Sequence, residues 1–405
     1  MTKNTTPKEV KDIINRGVNK LIKEDEIEKT LKESRSLRIK HGIDPSSNQI
    51  HLGYGVVYRK LRQLQELGHT VVFLMGDFTA RFGDPTGRAQ ARIMKDAEEV
   101  KNLTKTYIEQ ISKILDPKRL EIRFNSEWYD KLKTEELFSI LAKFTTAQML
   151  ERDMFQERIK NKQEIFLHEL LYPVLQGYDS VMLKSDLTVI GSDQIFNEIV
   201  GRDLQRIFNQ KPQGIIALEV LPGTDGVRKM SQSYGNTIGI NEAPDMQYGK
   251  IMSIPDNVIT KYFELLTDLP EEEIKIMKEE MANNKLNPKE AKEKLAYNIV
   301  AWLWGDEEAK EAKEEFNAVY RDKKLPTRAQ EHFVSEEKPL DLPHFISASG
   351  ATTSISLARR KISENAVYID GERANQESHP QIDTSKEHII KIGKTIIKTI
   401  PKKDD

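Results

Sequence analysis

Two short stretches carry residue types suited to work on phosphates. Asp44-Pro45-Ser46 leads through a polar loop into Ile50-His51-Leu52-Gly53-Tyr54, where a helical pattern starts at His51. A helix N-terminus offers unpaired backbone N–H groups and the positive end of its dipole, a natural cradle for phosphate. In that setting His51 donates to a phosphate oxygen as negative charge builds, and Ser46 adds a hydroxyl. Gly53 has no Cβ and lets a ligand lie close to the backbone. Far downstream, Lys229-Met230-Ser231-Gln232-Ser233 follows the last strand pattern, where a loop can bring a lysine to a phosphate group. Displacement at phosphorus depends mostly on positioning and charge neutralisation, so lysine is the expected residue there. Alone, each string is weak, because His-Leu-Gly also starts ordinary helices. Tyr172, Gln176 and Asp179 fall at i, i+4 and i+7, so one helix face can present all three. A polar face in water also explains that spacing.

These residues need a frame. Val10, Ile13, Ile14, Val18, Leu21 and Ile22 fall at helical spacing, so residues 1–34 read as an N-terminal helical segment. A strand is expected at Leu37–Ile43, then a helix from His51 to about Leu67 that Gly68 closes. Thr70–Met75 is continuously apolar, as in a parallel strand buried on both faces. Further strands are expected at Leu120–Phe124, Leu187–Ile190 and Gly214–Val220, with helices between them. That alternation predicts an α/β fold with a doubly wound parallel sheet over residues 35–228. From Met246 to about Tyr320 the pattern is nearly all helix, which makes 229–322 an all-α domain preceded by the Lys229 loop. Residues 323–342, near Pro326, Pro339 and Pro343, read as a linker into a small α+β domain at 343–405.

With 405 residues, 31% charged, 38% hydrophobic and a net charge of −2, the composition is that of an ordinary globular protein. No apolar run approaches the roughly 18 residues that span a bilayer, and Met1-Thr2-Lys3-Asn4-Thr5 is not a signal-peptide start. There is no cysteine, which excludes disulfides, thiolate metal sites and a cysteine nucleophile. A cytoplasmic location without membrane contact is expected. Near-neutral charge confines any RNA contact to local patches.

Further strings extend the pattern: Gly76-Asp77-Phe78-Thr79, Gly83-Asp84-Pro85-Thr86-Gly87-Arg88, Met149-Leu150-Glu151-Arg152-Asp153, Leu175-Gln176-Gly177-Tyr178-Asp179 and Gly191-Ser192-Asp193-Gln194. With the first two motifs, they make the chain resemble the bacterial tyrosyl-tRNA synthetases, class I aminoacyl-tRNA synthetases, along nearly its whole length. The resemblance implies a Rossmann-like core that activates L-tyrosine with ATP and Mg²⁺ and passes it to tRNA(Tyr). It also implies a homodimer formed through an insertion at about 115–185, and anticodon binding by the helical domain. Asp84, Tyr172 and Gln176 then hold the α-ammonium, Asp44 joins the tyrosine site, and Asp179 accepts from the tyrosine hydroxyl. Gln194 polarises the carboxylate, and Gly191 and Asp193 meet the ribose. His51, Tyr54, Lys229, Ser231, Gln232, Arg88 and Arg92 surround ATP, with His51, Lys229 and Gln194 as the catalytic set. Arg359, Arg360 and Lys361, before Ala366-Val367-Tyr368-Ile369-Asp370-Gly371, resemble the RNA face of an S4-type module. Residues 344–405 carry ten Lys/Arg and eight Asp/Glu, so a solvated helix is the competing reading there.

The departures from the family pattern cluster on the ATP side. Tyr54 stands in place of a histidine, Gln232 in place of a lysine, and Ile190 in place of a glycine, where a branched side chain crowds adenosine. Lys40-His41 stand where many members have Tyr-Cys, which puts a cation near the tyrosine pocket. Two rival functions follow: a paralogue that activates tyrosine for small-molecule biosynthesis, and a tyrosine- or RNA-binding protein that no longer turns over ATP.

Overall fold

The computed structural model describes residues 7–32, 35–45, 49–83, 97–320, 330–334, 339–374, 381–392 and 395–401. Ser46, Asp84, Arg88 and Arg92 lie outside the described residues. The chain divides into two compact units, 1–310 and 311–405.

The first unit is built on six strands: β1 (Val18–Ile22), β2 (Arg38–Ile43), β3 (Thr70–Met75), β4 (Leu120–Phe124), β5 (Leu187–Gly191) and β6 (Gly214–Leu218). Their order is β1-β6-β5-β2-β3-β4, parallel from β6 through β4, with β1 antiparallel on the edge. This is the expected doubly wound sheet. Its apolar runs fill the core: Ile39, Val71, Val72, Phe73, Val189, Ile215 and Ile216 are fully buried. Strand order reverses between β2 and β5. The carboxyl ends of strands at such a reversal diverge and open a crevice.

The opening segment differs from the helical expectation. A helix, Pro7–Asn15, stops at Gly17, whose φ of +65° takes the chain out of the helix, and Val18–Ile22 then joins the sheet. Val18, Leu21 and Ile22 fit a helical period by coincidence; pairing with β6 overrides it. The segment expected as an insertion also narrows: β4 belongs to the sheet, so only 125–186 separate the two sheet halves. The helices Pro244–Met252, Ile259–Leu266, Glu271–Ala282 and Pro288–Trp304 fall within the first unit.

One helix pair fixes the site. Leu167–Leu183 crosses Ile195–Ile207 at two glycines, and a Cβ on Gly177 would lie 2.9 Å from the backbone nitrogen of Gly201. Backbone cannot yield as a flexible side chain can. Gly177→Ala is therefore expected to destabilise the fold by about 1–3 kcal/mol through overpacking, read as a drop of several degrees in the thermal midpoint.

The second unit holds β7 (Gln330–Val334), β8 (Val367–Ile369), β9 (Glu372–Arg373), β10 (His388–Ile392) and β11 (Thr395–Pro401) in the order β7-β11-β10-β8-β9. Leu342, Phe345, Ile346, Ala358, Val367 and Ile390 form its core with the helices Leu342–Ala348 and Ile355–Ser363. The linker expectation is corrected here, because Gln330–Val334 pairs in parallel with β11. The prolines around it masked a strand of only five residues.

Candidate active site

The crevice between β2 and β5 is a cavity of about 260 Å³. Asp44, just past β2, forms one wall. Its Oδ1 accepts from the Thr79 hydroxyl and its Oδ2 from the Tyr172 hydroxyl, each at 2.8 Å. By donating to Asp44, Tyr172 turns its own oxygen into an acceptor. Gly76 makes room for this, since a Cβ there would lie 2.1 Å from Asp44 Oδ1.

Asp179, also in the cavity lining, is 3% exposed and accepts from Trp128 Nε1 at 3.0 Å. Burial pushes its carboxyl up to about 7, against the opposing pull of Lys40 and of donors that include Trp128. The cation expected near the pocket is present but matched. Lys40 is buried, with Nζ 3.0 Å from Glu198 Oε1 and donating to Ser180 Oγ at 2.7 Å. His41 is buried edge-on to Tyr58 and Phe73, with Nδ1 2.9 Å from the Val189 carbonyl. Burial lowers its pKa to about 4, so it is neutral at pH 7.

His51 caps the helix Leu52–Glu66, and its Nδ1 accepts from Gly53 N–H at 3.2 Å. Its pKa falls to about 4, chiefly through burial, with Lys229 adding repulsion. A neutral ring accepting at Nδ1 carries its proton on Nε2, which makes that nitrogen the donor. Gly53 serves this cap directly: a Cβ there would meet the His51 ring at 2.8 Å. Tyr54 lines the cavity with its ring 4.7 Å from that of His51.

The Lys229 loop is held in place by Asn236. Asn236 Oδ1 accepts from Ser231 N–H at 2.8 Å, and its Nδ2 donates to the Lys229 carbonyl at 3.1 Å and to Asp225. Lys229 Nζ reaches Asp193 Oδ2 at 3.0 Å, and Gln232 Nε2 donates to the Gln49 carbonyl at 2.6 Å. Ile190 is only 4% exposed and packs with Ile215 and Ala217, although it also lines the cavity.

Asp44, His51, Gly53, Tyr54, Tyr172, Gln176, Asp179, Gly191, Asp193, Gln194, Lys229 and Ser231 thus line one crevice. Gln232 reaches its rim through Gln49. Sequence reasoning missed Trp128, Asn197 and Glu198, and gave Thr79 no role of its own. Trp128 had a usable signal, as it follows closely on the carboxyl end of a strand.

Residues 31–321 match the family model of tRNA synthetases class I (W and Y). A tyrosine–tRNA ligase of Thermotoga maritima is 45% identical over 389 residues, covering 96% of each chain. That of Aquifex aeolicus is 44% identical over 389 residues, covering 96% of this chain and 97% of its own. The chain belongs to the class I tRNA synthetase family. Solved structures agree in fold. A C-terminally truncated mitochondrial tyrosyl-tRNA synthetase of Aspergillus nidulans gives a TM-score of 0.64 at 23% identity, covering 77% of this chain and 94% of that one. The Archaeoglobus fulgidus tyrosyl-tRNA synthetase complexed with L-tyrosine gives 0.62 at 21% identity, covering 76% and 99%. As a class I synthetase, this chain has its crevice where the family's fold opens at the strand reversal.

In the second unit, Ser354 caps the helix Ile355–Ser363 by accepting from Leu357 N–H at 3.2 Å. Arg360 and Lys361 each donate to Glu364 at 2.9 Å, and Arg359 is exposed. Two of the three expected RNA-binding cations thus share one carboxylate. Among the described residues, no helix is long and apolar enough to cross a membrane.

Proposed function

We infer that this chain is a tyrosine–tRNA ligase, which forms tyrosyl-adenylate from L-tyrosine and ATP and transfers tyrosine to tRNA(Tyr). One observation carries the reading. Asp179, a carboxylate suited to a phenol, and His51 and Lys229, donors suited to phosphate, line one cavity. Relatives of the same name at 45% identity support it along almost the entire chain.

A tyrosine carboxylate oxygen attacks the α-phosphorus of Mg²⁺-ATP, and the bond to pyrophosphate breaks. A ribose hydroxyl of the tRNA terminus then attacks the tyrosyl carbonyl and releases AMP. Tyr172, Gln176 and Asp84 hold the α-ammonium, while Asp44 orients Tyr172 through their 2.8 Å bond. Gln194 holds the carboxylate. Asp193, beside Gly191, takes the ribose hydroxyls, and Ser46, Gly53, Tyr54, Ser231 and Gln232 complete the nucleotide wall. His51 Nε2–H and Lys229 stabilise charge building on pyrophosphate, with Arg88 and Arg92 as further phosphate cations. No covalent enzyme intermediate is needed; orientation and charge stabilisation supply the rate.

The ligase acts as a cytoplasmic homodimer in this reading. Support comes from apolar side chains exposed around 125–186 and on the neighbouring helix: Phe138 is 65% and Leu167 73% exposed, with Ile159, Phe166, Ile199 and Phe208 also open. Arg359, Arg360 and Lys361 belong to the RNA face of the S4-like unit, and the helices after the Lys229 loop serve the anticodon. Charging of a tRNA(Tyr) transcript with labelled tyrosine tests the function: uptake of tyrosine, with none of phenylalanine or tryptophan, is expected. Adenylate formation without charging points instead to a small-molecule biosynthetic role.

A further inference from the structure

In the cavity wall lies a buried polar network centred on Glu198, to which the residue roles above assign nothing. Glu198 is 1% exposed and gathers three donors: Lys40 Nζ at 3.0 Å, Gln176 Nε2 at 2.9 Å and Gln213 Nε2 at 2.7 Å. Its neighbour Asn197, also buried, donates from Nδ2 to Gln176 Oε1 at 2.6 Å and to Gln194 Oε1 at 3.1 Å. The Gln176 amide is therefore gripped at both ends. Its NH₂ is turned toward a carboxylate, and its oxygen converges on that of Gln194.

An amide can rotate by half a turn at little steric cost, which exchanges an acceptor for a donor. For a cationic ligand group that exchange reverses the interaction. A carboxylate behind the NH₂ group forbids the rotated state, and a lysine beside that carboxylate supplies its counter-charge. A buried ion pair is a weak source of stability, so its presence here calls for another role.

We propose that Glu198 is a positioning residue for amino-acid recognition: with Asn197 it locks the Gln176 amide so that its oxygen faces the incoming α-ammonium group. The inference rests on the tyrosine reading above. It acts through Gln176 and assigns Glu198 no contact with substrate. Lys40 is its electrostatic partner, which explains why a lysine is tolerated beside the pocket.

Removing Glu198 alone would strand Lys40 in the interior, so two charge-neutral double variants are compared. Lys40→Met/Glu198→Leu deletes the acceptor, whereas Lys40→Met/Glu198→Gln restores an amide oxygen for Gln176. Calorimetric titration uses tyrosine, tyramine (which keeps the ammonium) and 3-(4-hydroxyphenyl)propanoate (which lacks it). The leucine variant is expected to lose about tenfold in affinity for tyrosine and tyramine, with the propanoate within about twofold of the parent. The glutamine variant is expected to recover most of that loss. Equal loss for all three ligands, equal loss in both variants, or no loss overturns the proposal. A parent protein that does not bind tyrosine rejects the tyrosine reading itself, a separate and recognisable failure.

Discussion

Lys229→Ala is expected to lower tyrosine-dependent ATP–pyrophosphate exchange by about two to three orders of magnitude, the usual loss when one preorganised charge-stabilising donor is removed. Among the described residues two lysines line the cavity, and they are not equivalent. Lys40 is spent on Glu198 in the interior. Lys229 sits at the more open side, where its side chain is 37% exposed and rests against Asp193 at 3.0 Å. Ribose hydroxyls taken by Asp193, as proposed, would free Lys229 for the phosphates. His51 cannot replace it, because a ring held at about 4 by burial carries no charge at neutral pH. Gln232 is neutral and already donates to the Gln49 carbonyl. The loss is expected in kcat more than in KM for ATP, since the charge matters most as pyrophosphate departs. Steady-state exchange at varied ATP separates the two constants.

Asp179→Asn is expected to lower the preference for tyrosine over phenylalanine by about ten- to a hundredfold, because it replaces a charged acceptor with a neutral amide. Trp128 keeps an acceptor in that variant, so the fold is retained. The same carboxyl sets a pH dependence. Its folded-state pKa of about 7 lies above the ordinary value of 3.8, so the folded protein favours the protonated form. That contribution to stability is complete below the unfolded pKa and is lost as pH rises through about 7. Tyrosine affinity moves the other way, rising between pH 6 and 8 as the carboxylate forms. The rise should vanish in Asp179→Asn. His41 and His51, both near 4, do not titrate in that window, and Lys60, near 7, does not line the cavity. Calorimetric titration of tyrosine at several pH values reads both effects.

Much of this arrangement was legible in the chain because it depends on local patterns. Thr70–Met75 and Leu187–Gly191 are apolar runs that can only be interior strands, and the motif residues sit where those strands end. Two edge strands escaped notice. Val18–Ile22 mimics a helical period after Gly17, and Gln330–Val334 is short and set among prolines. Their pairing is a property of the partner strand. What stands behind the motif residues was hidden for the same reason. Lys40 on β2 and Glu198 on the helix Ile195–Ile207 meet only in the folded chain, and nothing near Lys40 in sequence announces a carboxylate. Ile190 is instructive in the opposite direction. As a departure from a family glycine it suggested crowding of adenosine; its side chain packs with Ile215 and Ala217 and also lines the cavity.

Tyr54, Ile190 and Gln232 are the departures expected on the nucleotide side, so ATP turnover is the point on which the proposed reading turns. Tyrosine-dependent ATP–pyrophosphate exchange on the purified chain tests it most directly, with phenylalanine and tryptophan as controls and Gln232→Lys in parallel. Exchange with tyrosine alone is the expected result, with Gln232→Lys faster by about ten- to a hundredfold through the added charged hydrogen bond. Silence from both proteins while tyrosine still binds would contradict the account and leave a tyrosine-binding protein that has lost its chemistry.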